Sequence, residues 1–368
     1  MRNISLLLKG CFLFFSIDLY TGEYENIDNV ISHNLEGPLT IGYLHGRFDD
    51  SLDVLDYADK LSSTKPKQAT TDSLFFSYKW EKLKIAYETV ESSGEVTRES
   101  YPKSLKTDVN SDAFHVSYKV SESEKRYFDI GIYTREEEQD PVTIDCYAFG
   151  ETIVGGSCDD AKLRLLDSDI YKASGELVYQ PVLKTQGSSE SKGIFLRISP
   201  KDLNLLNFVH TLSYKVSEVE QSFRSDILNT TDSFIRGVSI NGQKAGELLD
   251  NFKNELPQLS PWKENTFKYS LSNLYPIGDK FAVSGMYSFI KVKRKDYLEN
   301  PNKKDFTKNH LLDISFLYKF QQNSILYLKF SASTNYLLGE NPLAYNRRSN
   351  HLFDHPYGQV YAGLLFNF

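Results

Sequence analysis

The chain ends in Tyr357-Gly-Gln-Val-Tyr-Ala-Gly-Leu-Leu-Phe-Asn-Phe368. Counting back from the carboxy terminus, Phe368, Phe366, Leu364, Ala362 and Val360 share one side of an extended backbone, because successive strand side chains point to opposite faces. The stretch therefore reads as a β-strand with one continuous apolar face. The same period of two recurs upstream. Leu74, Phe76, Tyr78 and Trp80 alternate with Phe75, Ser77 and Lys79. After a break at Glu81-Lys82 come Leu83, Ile85 and Tyr87; Phe114, Val116, Tyr118 and Val120 repeat the pattern, and Phe128, Ile130 and Ile132 follow a turn at Ser123-Glu124-Lys125. In the last third, Phe267, Tyr269 and Leu271 lead to Pro276-Ile277-Gly278-Asp279, and Phe281, Val283, Tyr287 and Phe289 follow. Leu312 to Phe320 and Leu326 to Ala332 then flank Gln321-Gln322-Asn323.

The connections alternate between tight turns and long polar segments, the latter at roughly 49–72, 92–111, 137–190, 226–263, 293–308 and 337–356. Five short-turn hairpins, near residues 81, 123, 201, 277 and 322, with Leu39–Phe48 ahead and the final strand behind, make twelve strands. A further hairpin around Gly175-Glu-Leu-Val-Tyr-Gln-Pro181 would make fourteen. This rhythm, with the aromatic carboxy terminus, resembles that of Gram-negative outer-membrane β-barrel proteins. The resemblance implies an all-β, transmembrane, antiparallel up-and-down barrel, with short periplasmic turns and long extracellular loops. It also implies that Val360, Ala362, Leu364, Phe366 and Phe368 form the signal read by the barrel-assembly machinery, with outer-membrane lipid as the surrounding partner.

Composition agrees. Aromatic residues make up 14% of the 368 residues, as 24 Tyr, 24 Phe and 2 Trp, a bias suited to half-buried pleated surfaces and membrane interfaces. A net charge of −7 disfavours nucleic-acid binding. The N-terminus, Met1-Arg2-Asn3 followed by about a dozen mostly apolar residues to Ser16, reads as a secretory signal within residues 1–22, leaving 23–368 as a single barrel domain. If Cys11 leaves with that signal, Cys146 and Cys158 remain, with eleven residues between them. In an oxidising compartment they are expected to form one disulfide, stabilising the loop by roughly 2–4 kcal/mol.

With the apolar faces on lipid, the alternate residues line the lumen. Lys79, Lys84, Lys119, Arg197, Lys215, Lys268, Lys319 and Lys329 fall there, against Glu88, Asp129 and Asp313. Most of the remaining acid is then expected in loops, as in Thr134-Arg-Glu-Glu-Glu-Gln-Asp140. Such a basic lumen concentrates anions. Helical spacing in Gln243–Leu256 and among Leu52, Leu55, Ala58 and Leu61 points to helices in the loops, capping the rim or narrowing the pore.

Three functions follow. The leading one is a passive porin-like channel for small hydrophilic solutes, with anions favoured. The second is a non-conducting barrel acting through its loops as receptor, adhesin or structural protein. The third is a membrane-embedded hydrolase, but none of His33, His45, His115, His210, His310, His351 and His355 sits in a His-x-Ser-Asn-Gly context. His210 and the Asp354-His355 pair are the nearest approaches, and the expectation is a protein that is not an enzyme. No metal or cofactor motif is present.

Overall fold

The computed structural model describes residues 37–49, 64–98, 105–144, 183–201, 207–224, 261–296, 307–333 and 357–368, with short pieces between 233 and 250. The expected signal segment, Cys146 and Cys158, the 52–61 helix, Gly175–Pro181 and Asp354-His355 lie outside them.

Twelve strands close into one barrel. Seven lie in the first part of the chain: β1 (Leu39–Asp49), β2 (Thr64–Trp80), β3 (Leu83–Arg98), β4 (Leu105–Glu122), β5 (Arg126–Ile144), β6 (Leu183–Pro200) and β7 (Val209–Arg224). A short helix α1 (Ser233–Gly237) follows, then a small ladder of β8 (Ser239–Ile240) with β9 (Gln243–Lys244) outside the wall. The wall resumes with β10 (Trp262–Ile277), β11 (Phe281–Lys295), β12 (Lys308–Gln321), β13 (Ser324–Ser333) and β14 (Tyr357–Asn367). Each wall strand is antiparallel to its neighbours, β7 pairs directly with β10, and β14 closes on β1. Because β5 pairs directly with β6, the wall has no place for a further hairpin, and the count is twelve rather than fourteen.

The short turns fall where the breaks in alternation place them. Glu81 takes a left-handed conformation (φ 52°) in the two-residue turn between β2 and β3. Gly278 (φ 67°) serves the β10–β11 turn, where the absence of Cβ removes the steric cost of that region. On the other rim the strands run further than the hydrophobic pattern suggested. β5 has 19 residues and β6 has 18, well beyond the roughly 9–11 that cross a bilayer, so both continue past the apolar belt.

This overturns one expectation. Thr134–Asp140 is not loop: it lies within β5, paired with β4 and β6, with Arg135 and Glu137 turned inward and Glu136 and Glu138 outward. The helix expected over Gln243–Leu256 also begins differently. Gln243 and Lys244 form the ladder with β8, and of the described residues in that stretch Gly246, Glu247 and Asp250 have helical backbone.

The outer face carries the apolar ladder. Phe76, Tyr87, Phe114, Ile132, Phe316, Leu328 and Phe366 are all exposed, on the face that the alternation in the sequence assigns to lipid. Rows of serine face inward and bond across strands, as in Ser191 to Ser217 (2.8 Å) and Ser270 to Ser288 (2.9 Å). Inward glycines sit opposite inward aromatic rings on the adjacent strand: Gly42 faces Phe75, Gly46 faces Tyr361, Gly131 faces Phe195 and Gly193 faces Tyr133. Each ring occupies the space a Cβ would need, so it lies flat along the wall. At the seam, the buried Asn367 amide donates to the Leu39 carbonyl (3.0 Å) and to Thr40 Oγ1 (2.9 Å), fastening the last strand to the first.

Candidate functional site

The charged side chains of the inner wall lie in tiers. At the short-turn end, Lys79 stands directly opposite Lys84 in the β2–β3 register, and Asp129 is flanked by Lys119 and Arg197 across β4, β5 and β6. Arg197 donates from Nε to Asp129 (3.1 Å). These residues surround a pocket of about 120 Å³ whose charged lining is Lys79, Lys82, Lys84, Lys119 and Arg197 against Glu81 and Asp129. Lys119 Nζ sits 4.1 Å from the centre of the Tyr127 ring, and Lys201 Nζ 5.2 Å from it. Beyond the belt, at the rim, Glu122 takes Lys201 (2.7 Å) and Lys119 (3.7 Å). The Lys201 hydrogen bond is the main influence holding its carboxyl below the usual range. Lys319 is half-buried at the same end of β12.

The middle tier is enclosed. Lys215, Lys268 and Lys329 are only 2%, 3% and 0% exposed. Lys329 Nζ lies 4.1 Å from the centre of the Tyr361 ring, a cation–π arrangement. Glu88 and Arg135 are buried together at 3.2 Å; Arg135 also donates to Ser111 (3.1 Å) and Ser73 donates to Glu88 (3.1 Å). This network ties β2, β3, β4 and β5 through side chains rather than backbone. Leu44, Phe75, Leu274, Leu317, Ile325, Tyr327 and Leu365, from β1, β2, β10, β12, β13 and β14, form a buried apolar cluster, with Phe75 directly opposite Glu88 in the β2–β3 register. Higher up, Arg294 donates to Glu264 (2.8 Å), which also accepts from Trp262 Nε1 (3.0 Å), and Ser189 donates to Glu137 (2.5 Å).

All eight basic positions singled out in the sequence thus project from the inner face. Arg135, Glu137, Glu264 and Arg294 join them, unsignalled because their segments read as loop or strand end. Among the described residues, the inner arginines Arg135, Arg197 and Arg294 each hold a carboxylate. The imidazole of His210 faces outward with Nδ1 2.8 Å from the Tyr269 hydroxyl. His115 stacks on Tyr133 inside the barrel.

No family model matches the chain, and no curated protein does. Among solved structures it is similar to the translocator domain of the autotransporter NalP from Neisseria meningitidis, at 10% identity over 94% of this chain and 93% of that one, with a TM-score of 0.50. It is also similar to the NanC porin (10% identity, 89% and 100% coverage, TM-score 0.42) and to LpxR from Salmonella typhimurium (7%, 89% and 100%, TM-score 0.40). At these identities the likeness concerns the fold alone. The protein has the closed, twelve-stranded antiparallel fold of outer-membrane β-barrels.

Proposed function

We propose that this barrel is closed at rest and works through its outer surface and long extracellular connections, as a receptor, adhesin or structural protein, rather than as an open diffusion pore. The observation that carries this reading is the burial of Lys215, Lys268 and Lys329 midway up the inner wall. A twelve-strand barrel lies between eight-strand barrels, whose interiors side chains fill, and porins of sixteen or more strands, which leave an aqueous channel. Strand number therefore leaves the matter to the lining, and lysines facing an open aqueous pore would be solvated. Here all three are buried, and Lys329 lies within electrostatic reach of the buried Glu88.

A second reading, the passive channel favouring anions, draws on the charge balance of the wall. Among the described residues, inward basic side chains outnumber inward acids, and the basic pocket at the short-turn end provides an anion-receiving mouth. Liposome swelling separates the two. Proteoliposomes are expected to swell in gluconate or arabinose no faster than protein-free vesicles; rapid swelling in both would overturn the closed reading.

A further inference from the structure

The outer wall above the apolar belt is divided by charge. On β5 and β7 the outward residues at this level include Glu136, Glu138, Glu218 and Glu220. On β10, β11 and β12 they include Lys263, Lys291, Lys293, Lys295 and Lys308, all exposed, with the Asp296 carboxylate just past β11 acting on Lys263. The seam between the two regions is the Lys263–Glu218 ion pair. The register makes the basic group a contiguous patch. Lys291 stands directly opposite Lys308, Lys295 directly opposite Lys263, and Lys293 opposite Asn265. One row nearer the membrane centre lie Phe289 and His310, followed by the exposed Tyr287 and Leu312.

We infer that this patch binds the phosphate groups of anionic lipid in the outer leaflet. Like charges placed directly opposite on adjacent strands repel, with Cβ atoms about 4.5–5.5 Å apart, a spacing at which one phosphate fits between two ammonium groups. The lysines begin where the aromatic and aliphatic belt stops. Their alkyl stems can lie along that belt while the ammonium groups reach headgroup level. Long connections mark the extracellular rim of such barrels, which places the patch on the outer leaflet. The inference concerns the outer wall and holds whether the lumen is open or closed. The alternative occupant is the acidic strip of a second copy of this chain. A row of lysines at the edge of the hydrocarbon belt favours lipid, because headgroup phosphates are concentrated at that depth.

The test uses the full-length protein in detergent and native mass spectrometry. The probes are a bis-phosphorylated acylated glycolipid, its dephosphorylated form and phosphatidylcholine. The wild type is expected to retain the phosphorylated glycolipid selectively. Lys291→Gln/Lys293→Gln/Lys308→Gln is expected to weaken that retention on the order of tenfold or more, given the usual contribution of each interfacial lysine. Lys192→Gln, on the acidic side and paired with Glu190 at 2.6 Å, is expected to leave it unchanged. Heat-modifiable electrophoretic mobility confirms that each variant is folded. Equal retention of phosphorylated and dephosphorylated glycolipid would overturn the inference. So would a triple variant that loses an oligomer while keeping its lipid, since that result assigns the patch to a second copy.

Discussion

Arg135 carries much of the inner wall's organisation. Its guanidinium reaches Glu88, 47 residues away in sequence, and Ser111 on the strand between them. Removing one partner of a buried ion pair leaves a charge without its counterion, a loss of about 3–5 kcal/mol, whereas replacing both by apolar groups of similar size is often near neutral. Arg135→Leu is therefore expected to lower the unfolding free energy in urea by that amount. Glu88→Leu/Arg135→Met should recover most of it; no loss in the single variant would contradict the pairing. The pair was illegible in the sequence because Thr134–Asp140 is dense enough in charge to read as loop. What rescues the strand is partner strands on both sides, a long-range fact. The eight inner basic residues were legible because each alternates with an apolar neighbour, which fixes its face once the register is set.

At the scale of the element, β14 shows how the two faces divide their tasks. Leu364 points outward opposite Leu326 of β13, while Leu365 points inward against Ile325. A charge on the lipid face costs roughly 2–4 kcal/mol near the bilayer midplane and less toward its edges. Leu364→Arg should thus destabilise the barrel in phospholipid vesicles by up to that amount, measured by urea unfolding. A change below about 0.5 kcal/mol would mean the outward face does not meet lipid. The apolar face of this strand and its closing role were readable from alternation alone. Its inner partners were not: the placement of Gly42 opposite Phe75 and Gly46 opposite Tyr361 depends on which residues become neighbours when β1 meets β2 and β14. The strand ends beyond the belt were also misjudged, because hydrophobic alternation fades there while the hydrogen-bonded ladder continues.

For the whole molecule, the strand count and closure followed from counting turns, and the five short connections sit where the pattern breaks. Occupancy of the lumen did not follow. Alternation says which side chains face inward and is silent on whether water reaches them, since that depends on how the wall packs around its full circumference. The burial of Lys215, Lys268 and Lys329 is the observation on which the proposed closed barrel rests. Planar-bilayer recording of the purified full-length protein tests this most directly. The closed reading predicts insertion without a long-lived ohmic conductance level. A stable open level, with a reversal potential marking anion preference, would contradict it and establish the barrel as a channel.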